Sequence, residues 1–232
     1  MEKLVLDQAD GLRRLMAAST ARRIALVDGT ADTGACSVAL NLAQALMQQG
    51  RNVLLLDERN GPQPVPPARG GQLVLIDAVP GSDGALSPLA AGADHILVVC
   101  AARSEAITRT YLCIKKLHFA HPLANLRVLV NEVADPAQAR RLLANLACTG
   151  SRYLGMALEP AGFVRADIFL AQARRLNLTV VQAFRASAAT QDFLQIASDL
   201  VTWPCLAAAE RMPMPLSGRM AGHEAQPLAS FH

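Results

Sequence analysis

The sequence is poor in aromatic residues, in long apolar runs and in clusters of metal ligands. Aromatic side chains make up 4% of the 232 residues, so the chain lacks the stacking platform that nucleic acid binding requires, and we expect no nucleic acid partner. Its longest apolar runs, such as residues 96–102, are far shorter than the roughly 20 residues of a membrane span. The five cysteines include no Cys-x-x-Cys pair, and no histidine lies in a ligand cluster, so we predict no disulfide framework and no metal site.

The N-terminal residues also lack a secretory pattern. Glu2 and Asp7 place acidic side chains where a signal peptide would carry positive charge. The net charge of +3 is modest, and the arginines occur in scattered pairs that are typical of a solvated surface. We therefore expect a cytoplasmic protein.

The chain does contain a series of short runs rich in Val, Ile and Leu. Most are followed by a segment of helical period, and they lie at residues 23–29, 52–58, 72–78, 95–101, 126–133 and 178–184. This alternation predicts an α/β domain with a doubly wound, mainly parallel sheet that is covered on both faces. The helices are predicted at residues 35–50, 104–119, 135–150 and 165–176.

The predicted α/β domain spans residues 21–203. Residues 1–20 form a separate N-terminal segment, and residues 204–232 form a tail. Pro213, Pro215 and Pro227 interrupt any regular structure in that tail, so we expect it to be flexible.

The loop after the first predicted strand has the spacing of a phosphate-binding loop. Gly29 and Gly34 keep the G-x-x-x-x-G pattern between a strand and a helix. Such a loop binds phosphate through backbone N–H groups, a lysine, and a hydroxyl that holds Mg²⁺. Ala35 stands where the lysine is needed, and Cys36 stands where the hydroxyl is needed. Loss of the lysine alone predicts a drop in affinity of about tenfold to a hundredfold.

Two carboxylates further disfavour phosphate binding at this loop. Asp28 and Asp32 would repel a polyphosphate unless a cation lay between them. We therefore predict impaired or absent hydrolysis. The alternative is a strand-to-helix turn that keeps its glycines for backbone reasons and binds nothing.

A resemblance to a known family extends from residue 4 to about residue 203. Residues 29–58 resemble the opening of MinD/ParA-type ATPases, whose deviant Walker A loop precedes a helix containing N-L-A and a strand ending in aspartate, here Asp57. Residues 6–16, LDQADGLRRLM, resemble the N-terminal D-Q-A-x-x-L-R signature of the flagellar regulators called FlhG or FleN. Residues 73–81 resemble the family's Walker B strand with switch II, and residues 105–117 resemble its next helix. Residues 128–133 resemble its V-N-x-V strand, and residues 182–200 resemble the segment that leads into its C-terminal helix.

The resemblance implies a nucleotide site and its residues. The family's binding positions correspond to Gly29, Thr30, Gly34, Ala35, Cys36, Ser37 and Asn131. Asp57 and Asp77 correspond to acidic residues of the catalytic machinery and are vestigial candidates here. The implied cofactor is ATP, with Mg²⁺ only if ATP binds. Without the resemblance, Asp77 could equally be an ordinary cap at the end of a strand, and Asn131 could equally be an ordinary turn former.

The sequence also departs from the family pattern. Thr30 and Ala35 replace the family's two lysines, Cys36 replaces its Mg²⁺-binding hydroxyl, and Arg109 replaces an aspartate. Residues 58–71 form a Pro-rich stretch where MinD-like proteins carry a longer helix and strand that include switch I. The sequence therefore resembles an FlhG whose ATPase machinery has decayed, and we expect a protein without ATPase activity.

The N-terminal segment is the predicted partner-binding element. In the family it engages the GTPase FlhF, and the corresponding residues here are Asp7, Gln8, Ala9, Leu12, Arg13 and Arg14. Asp7 can cap a helix that places Leu12, Leu15 and Met16 on one apolar face. A helix this short is unstable in isolation, so it should fold against a partner or against its own domain.

The resemblance implies a regulator of the number or placement of bacterial flagella. It would act by contact with an FlhF-type GTPase and other flagellar proteins, and a homodimer like that of the family stays open. Two alternatives stay open: a working MinD-type ATPase that dimerises around ATP, and a MinD-like accessory protein of another polar or secretion system. Asp192 and Asp199 give the last predicted helix an acidic face, so membrane association should be weak or absent.

Overall fold

A six-stranded parallel sheet forms the centre of the molecule. The computed structural model describes residues 21–205 except 31–32, 62, 65–69 and 122–124. The strands are β1 (Arg22–Asp28), β2 (Asn52–Asp57), β3 (Gln72–Ala78), β4 (His95–Ala101), β5 (Leu126–Val133) and β6 (Glu159–Arg165). Their order in the sheet is β2-β3-β1-β4-β5-β6, which confirms the predicted doubly wound α/β architecture.

The helices cover both faces of this sheet. They are α1 (Ala35–Gln48), α2 (Pro88–Ala91), α3 (Ser104–Ala120), α4 (Pro136–Leu154), α5 (Ile168–Arg175), α6 (Val180–Ala183) and α7 (Ala188–Thr202), with a 3-10 turn at Glu58–Asn60. Successive strand residues point to opposite faces. Leu26 and Leu97 accordingly pack in the layer that contains α1, α6 and α7, whereas Val27 and Val98 pack in the layer that contains α3 and α4.

The predicted strand over residues 178–184 is wrong, because these residues contain the short helix α6. Thr179 begins it with a capping box, in which its side chain accepts the Gln182 N–H and the Gln182 side chain accepts the Thr179 N–H. The Val180 N–H donates to Asn41 Oδ1 on α1 at 2.8 Å. A short apolar run is compatible with either a strand or a buried helical turn, and these polar contacts decide for the turn.

The sixth strand is β6, a segment that the sequence analysis did not predict as a strand. Pro160 and Gly162 lie inside it, and both residues usually interrupt a strand. They are tolerated because β6 is at an edge of the described sheet and its register with β5 shifts, with Val128 opposite Pro160 and Leu129 opposite Gly162. This irregularity hides the alternation that normally identifies a strand.

The three long helices of the central region agree with prediction. α1 and α3 differ from their predicted bounds by two residues or fewer, and α4 extends four residues beyond its predicted end. Asp135 caps α4 as expected, because its Oδ1 accepts the Gln138 N–H at 2.8 Å. In the described part of the chain, no helix has the length and apolar character that a bilayer crossing would require.

Candidate functional site

Three aspartates meet at the carboxyl edge of the sheet. Asp28 is the last residue of β1, Asp57 is the last residue of β2, and Asp57 lies directly opposite Asp77 of β3 in the strand register. The carboxyl edge of a parallel sheet is the usual place for a ligand site in this architecture. Parallel pairing therefore brings together the two predicted catalytic candidates, Asp57 and Asp77, and places Asp28 beside them.

The two glycines of the loop have packing and backbone roles of their own. A Cβ atom on Gly29 would lie 2.4 Å from Thr110 Oγ1 and 2.7 Å from the Val99 carbonyl oxygen. Gly34 precedes α1 with a φ of 82°, a left-handed conformation that favours glycine. Both residues are therefore required by the fold, whether or not the loop binds a ligand.

The carboxylate of Asp28 occupies the N-terminus of α1. Its Oδ1 accepts the Ala35 N–H at 3.1 Å and also accepts the Thr33 hydroxyl. A helix N-terminus attracts negative charge because its first N–H groups have no partner within the helix. In a phosphate-binding loop these groups face the phosphates, whereas here an anion of the chain itself takes one of them.

Arg59 places a cation between the aspartates. It lies in the 3-10 turn after β2, where its N–H donates to Asp57 Oδ1 at 2.9 Å. Its Nε is 3.2 Å from Asp77 Oδ2, and its Nη2 is 3.6 Å from Asp28 Oδ2. The guanidinium thus lies at the start of residues 58–71, the stretch that the sequence analysis described as a Pro-rich replacement for switch I. The available signal was an arginine two residues beyond an aspartate at the end of a strand.

The thiol of Cys36 is protonated and hydrogen-bonds to the carboxylate of Asp77, next to this arginine. Burial raises the pKa of the Cys36 thiol, and the nearby Asp77 charge raises it further. Burial also raises the pKa of Asp77, an effect that the Arg59 charge partly offsets. The thiol therefore stays protonated at neutral pH and hydrogen-bonds to Asp77, so it is unsuited to act as a nucleophile or as a thiolate ligand.

Asn131 supports the loop from the end of β5. It is 6% exposed, and its Nδ2 donates to the Thr33 carbonyl oxygen at 2.8 Å. A Cβ atom on Gly34 would lie 2.9 Å from the same Nδ2. The Asn131 side chain therefore holds the loop against β5, and its role in nucleotide binding stays a prediction.

The other predicted residues lie on two sides of the loop. Thr30 lines a cavity of about 360 Å³ together with Gly29, Gly81 and Arg109. Arg109 also pairs with Glu105 on α3 at 2.6 Å. Ser37 is exposed in the first turn of α1 and lines a separate cavity of about 700 Å³. Nucleotide binding by any of these residues stays a prediction.

Some predicted residues lie outside the part of the chain that the structure describes. They are Asp32 in the loop and the whole N-terminal partner-binding set, Asp7, Gln8, Ala9, Leu12, Arg13 and Arg14. The flexible tail predicted for residues 204–232 also lies outside it from residue 206 onward. These assignments remain predictions from the sequence.

Arg59→Met should destabilise the protein in a pH-dependent way. Without the guanidinium, the pKa of Asp77 should rise further above its unfolded value of about 3.9. A raised folded-state pKa contributes stability below the unfolded pKa and loses it as the pH rises through the folded pKa. The Arg59 side chain is 43% exposed, so we expect a loss of only about 1–2 kcal/mol at pH 7, shrinking as the pH falls towards 4.

Urea unfolding of the Arg59→Met variant at several pH values measures this effect. The matched control is Arg109→Met, which removes an exposed arginine with a single pair along the helix and should cost less than about 0.5 kcal/mol at every pH. A loss at Arg59 that does not depend on pH would contradict the proposed coupling to Asp77.

Comparison with known proteins identifies relatives of this chain. No family model matches it. The antiactivator FleN of Pseudomonas aeruginosa is 26% identical over 243 aligned residues, covering 78% of this chain and 86% of FleN. Together with the ordered motifs of residues 4–203, this similarity supports the FlhG/FleN assignment.

Solved structures show the same fold. The MinD cell division protein of Aquifex aeolicus superposes with a TM-score of 0.61 at 16% identity, covering 80% of this chain and 99% of MinD. MinD of Pyrococcus horikoshii, complexed with Mg-ADP, gives 0.59 at 16% identity over 78% of this chain and 96% of its own. A ParA family ATPase of Chlorobium tepidum gives 0.56 at 13% identity over 78% and 99%. The chain is thus similar in sequence to the antiactivator FleN and has the fold of the MinD and ParA proteins.

Proposed function

We propose that this protein is an FlhG-like regulator of bacterial flagellar assembly that acts through protein contacts instead of ATP turnover. Its similarity to FleN and its MinD-like fold support either a regulator of this kind or a MinD-type ATPase. We choose the regulator over the ATPase because of the charged side chains around the loop of residues 29–36. The proposed partners are an FlhF-type GTPase and other flagellar proteins.

The observation that carries the proposal is that charged side chains of the chain itself occupy the candidate nucleotide site. In P-loop proteins a lysine and Mg²⁺ neutralise the phosphates. Here the cation is Arg59, which is paired with Asp77 and Asp28, and the anion at the helix N-terminus is Asp28 itself. Asp28, Asp57 and Asp77 outnumber Arg59, so the site carries excess negative charge, which repels a polyphosphate.

Binding of ATP would have to undo this arrangement. The phosphates would displace the Asp28 carboxylate from the Ala35 N–H and the Thr33 hydroxyl. Hydrogen bonds to charged groups contribute about 1.5–3 kcal/mol each. The displaced carboxylate would then lie next to the phosphates without the lysine that offsets such repulsion in the family, since Ala35 holds that position.

Calorimetric titration with ATP and Mg²⁺ separates the two functions. We expect no saturable binding in the micromolar range and no ATP turnover, because Asp28 and Arg59 occupy the site. Micromolar binding, together with turnover that Asp77→Asn abolishes, would establish the working ATPase and reject this part of the proposal.

The regulatory role is tested with the cognate FlhF-type GTPase. Saturating amounts of the full chain should raise its GTPase rate, and Arg13→Glu should abolish the increase by reversing a charge in the D-Q-A-x-x-L-R signature. The matched control is Arg109→Glu, a charge reversal at an exposed position of α3, which should retain the stimulation. A GTPase rate that the unaltered chain leaves unchanged would exclude this partner and favour a role in another polar or secretion system.

A further inference from the structure

The outer side of α1 forms an apolar groove beside the edge of the sheet. Leu40 and Met47 of α1 are 47% and 46% exposed, and Leu178 across from them is 47% exposed. The cavity at this place has a volume of about 700 Å³. We call it the α1 groove, and its large apolar lining residues include Leu40, Met47, Val53, Leu55, Leu170 and Leu178.

The composition of α1 indicates that this side of the helix is covered. None of its 14 residues is charged, whereas a solvent-facing helix side normally carries charged residues. Val53 and Leu55 of the adjoining strand β2 are only partly buried against the core. Covering these side chains would remove apolar surface from water, which is favourable.

Residues 1–20 join the described chain next to the lower end of the groove. In the strand register Arg22 of β1 lies opposite Leu73 of β3, and Leu73 lies opposite Val53 of β2. Arg22 and Val53 are thus at the same level of the sheet, two strand spacings or about 10 Å apart. Residues 17–20 can span about 13 Å when extended, so they can bridge this gap.

The length of the N-terminal segment matches the length of the groove. From Ser37 to Met47, α1 rises about 15 Å. A helix that begins after Asp7 and continues to residue 16 would have a similar length of about 14 Å. Its apolar residues Leu12, Leu15 and Met16 lie towards the end that joins the domain, near Met47.

Charge also favours this occupant. Arg174 lines the α1 groove, is exposed, and has no ion-pair partner among the side chains that the structure describes. Asp7 and Asp10 are the acidic residues of the predicted helix. The tail from residue 206 also starts at this end, since Arg22 Nη2 donates to Cys205 Sγ at 3.0 Å, but Pro213 and Pro215 interrupt any helix that begins there.

We propose that residues 1–20 fold back onto their own domain and dock in the α1 groove, with Leu12, Leu15 and Met16 against Leu40 and Met47. The docked segment hides the same residues that the signature offers to a partner. Docking on the domain and binding to a partner then exclude each other, so the groove and the partner compete for the segment. The docking itself does not depend on the identity of that partner.

Photo-crosslinking in the full chain tests the docking. We would replace Leu40 with p-benzoylphenylalanine in an equal mixture of ¹⁴N- and ¹⁵N-labelled protein, irradiate it, and identify the linked peptides by mass spectrometry. The expected product joins position 40 to residues 1–20 of the same isotope. The same probe in place of Leu112, which is 51% exposed on the opposite face of the sheet, should give no such product.

Three outcomes would overturn the proposal. Crosslinks between different isotopes would show that a second copy occupies the groove, crosslinks to residues 206–232 alone would show that the tail does, and absence of any crosslink to residues 1–20 would show that the segment docks elsewhere or not at all. Each outcome is independent of the GTPase assay.

Hydrogen exchange supplies a second readout that needs no crosslinker. Met47→Glu should raise the exchange rate of the amides in residues 7–16 about tenfold, because it replaces an apolar contact with a charge. Leu112→Glu should leave that rate unchanged. If these amides already exchange at the unprotected rate in the unaltered chain, the proposal is wrong.

Discussion

Gly29→Ala should lower the free energy of unfolding by about 3 kcal/mol, near the upper end of the usual cost of overpacking. The new methyl group would lie 2.4 Å from Thr110 Oγ1 and 2.7 Å from the Val99 carbonyl oxygen. The loop cannot move away easily, because the Gly29 N–H donates to that same carbonyl oxygen at 2.9 Å. Urea unfolding followed by circular dichroism would measure the change.

The matched control for this variant is Gly81→Ala. A Cβ atom at Gly81 would lie 2.9 Å from Asp83 Oδ1, the end of an exposed side chain that can rotate away. We expect a cost below about 1 kcal/mol there. Equal losses for the two variants would contradict the view that close contact with β4 and α3 requires glycine at position 29.

Asp192→Ala should cost about 3 kcal/mol, the typical effect of removing one partner of a largely buried ion pair. Asp192 of α7 accepts the Arg165 N–H at 2.9 Å and pairs with the Arg165 guanidinium at 2.7 Å. Its side chain is only 10% exposed, so the expectation that Asp192 lies on an acidic outer face of this helix is wrong. The substitution leaves a backbone donor and a charge at the end of β6 without this partner, and thermal or urea unfolding would measure the loss.

Asp199→Ala on the same helix is the control for Asp192. Asp199 is exposed and accepts only the Gln195 side chain at 2.9 Å, so its removal should change the stability by less than about 0.5 kcal/mol. A similar effect at both positions would mean that the helix, and not the ion pair with Arg165, determines the loss.

The prediction of secondary structure succeeded where the local sequence signal of a segment agrees with its place in the fold. The apolar runs of β1 and β3 are bounded by polar residues, and the Asp135-Pro136 pair marks the start of α4 through a side-chain cap. In these segments, local preference and tertiary structure agree. The fold class therefore followed from the order of the runs and the helices between them.

The two errors in secondary structure have one cause, since distant contacts override local preference in both segments. Residues 178–184 have strand-like composition, but Val180 finds its hydrogen-bond partner at Asn41, 139 residues earlier in the chain. Pro160 and Gly162 suggest a break, yet an edge position and a shifted register accommodate them. Neither the partner nor the edge position can be read from the segment itself.

For the candidate site, the sequence by itself determined which groups are missing. Ala35 and Cys36 remove a cation and a metal-binding hydroxyl from a loop whose glycine spacing identifies the fold. That conclusion needs only residue identity and spacing, because the backbone of such a loop is local. Titration with ATP will decide whether the loss of these groups abolishes ATP binding.

Only the tertiary structure decided what takes the place of those groups. Asp28, Arg59 and Asp77 are separated by 31 and 18 residues in the chain, and parallel pairing of β1, β3 and β2 brings them to one edge. The strand order sets which charges become neighbours, and charges interact strongly only at short distance. The sequence gives the type and position of each of these residues. The order of the strands determines that Arg59 is the cation that lies between Asp28 and Asp77.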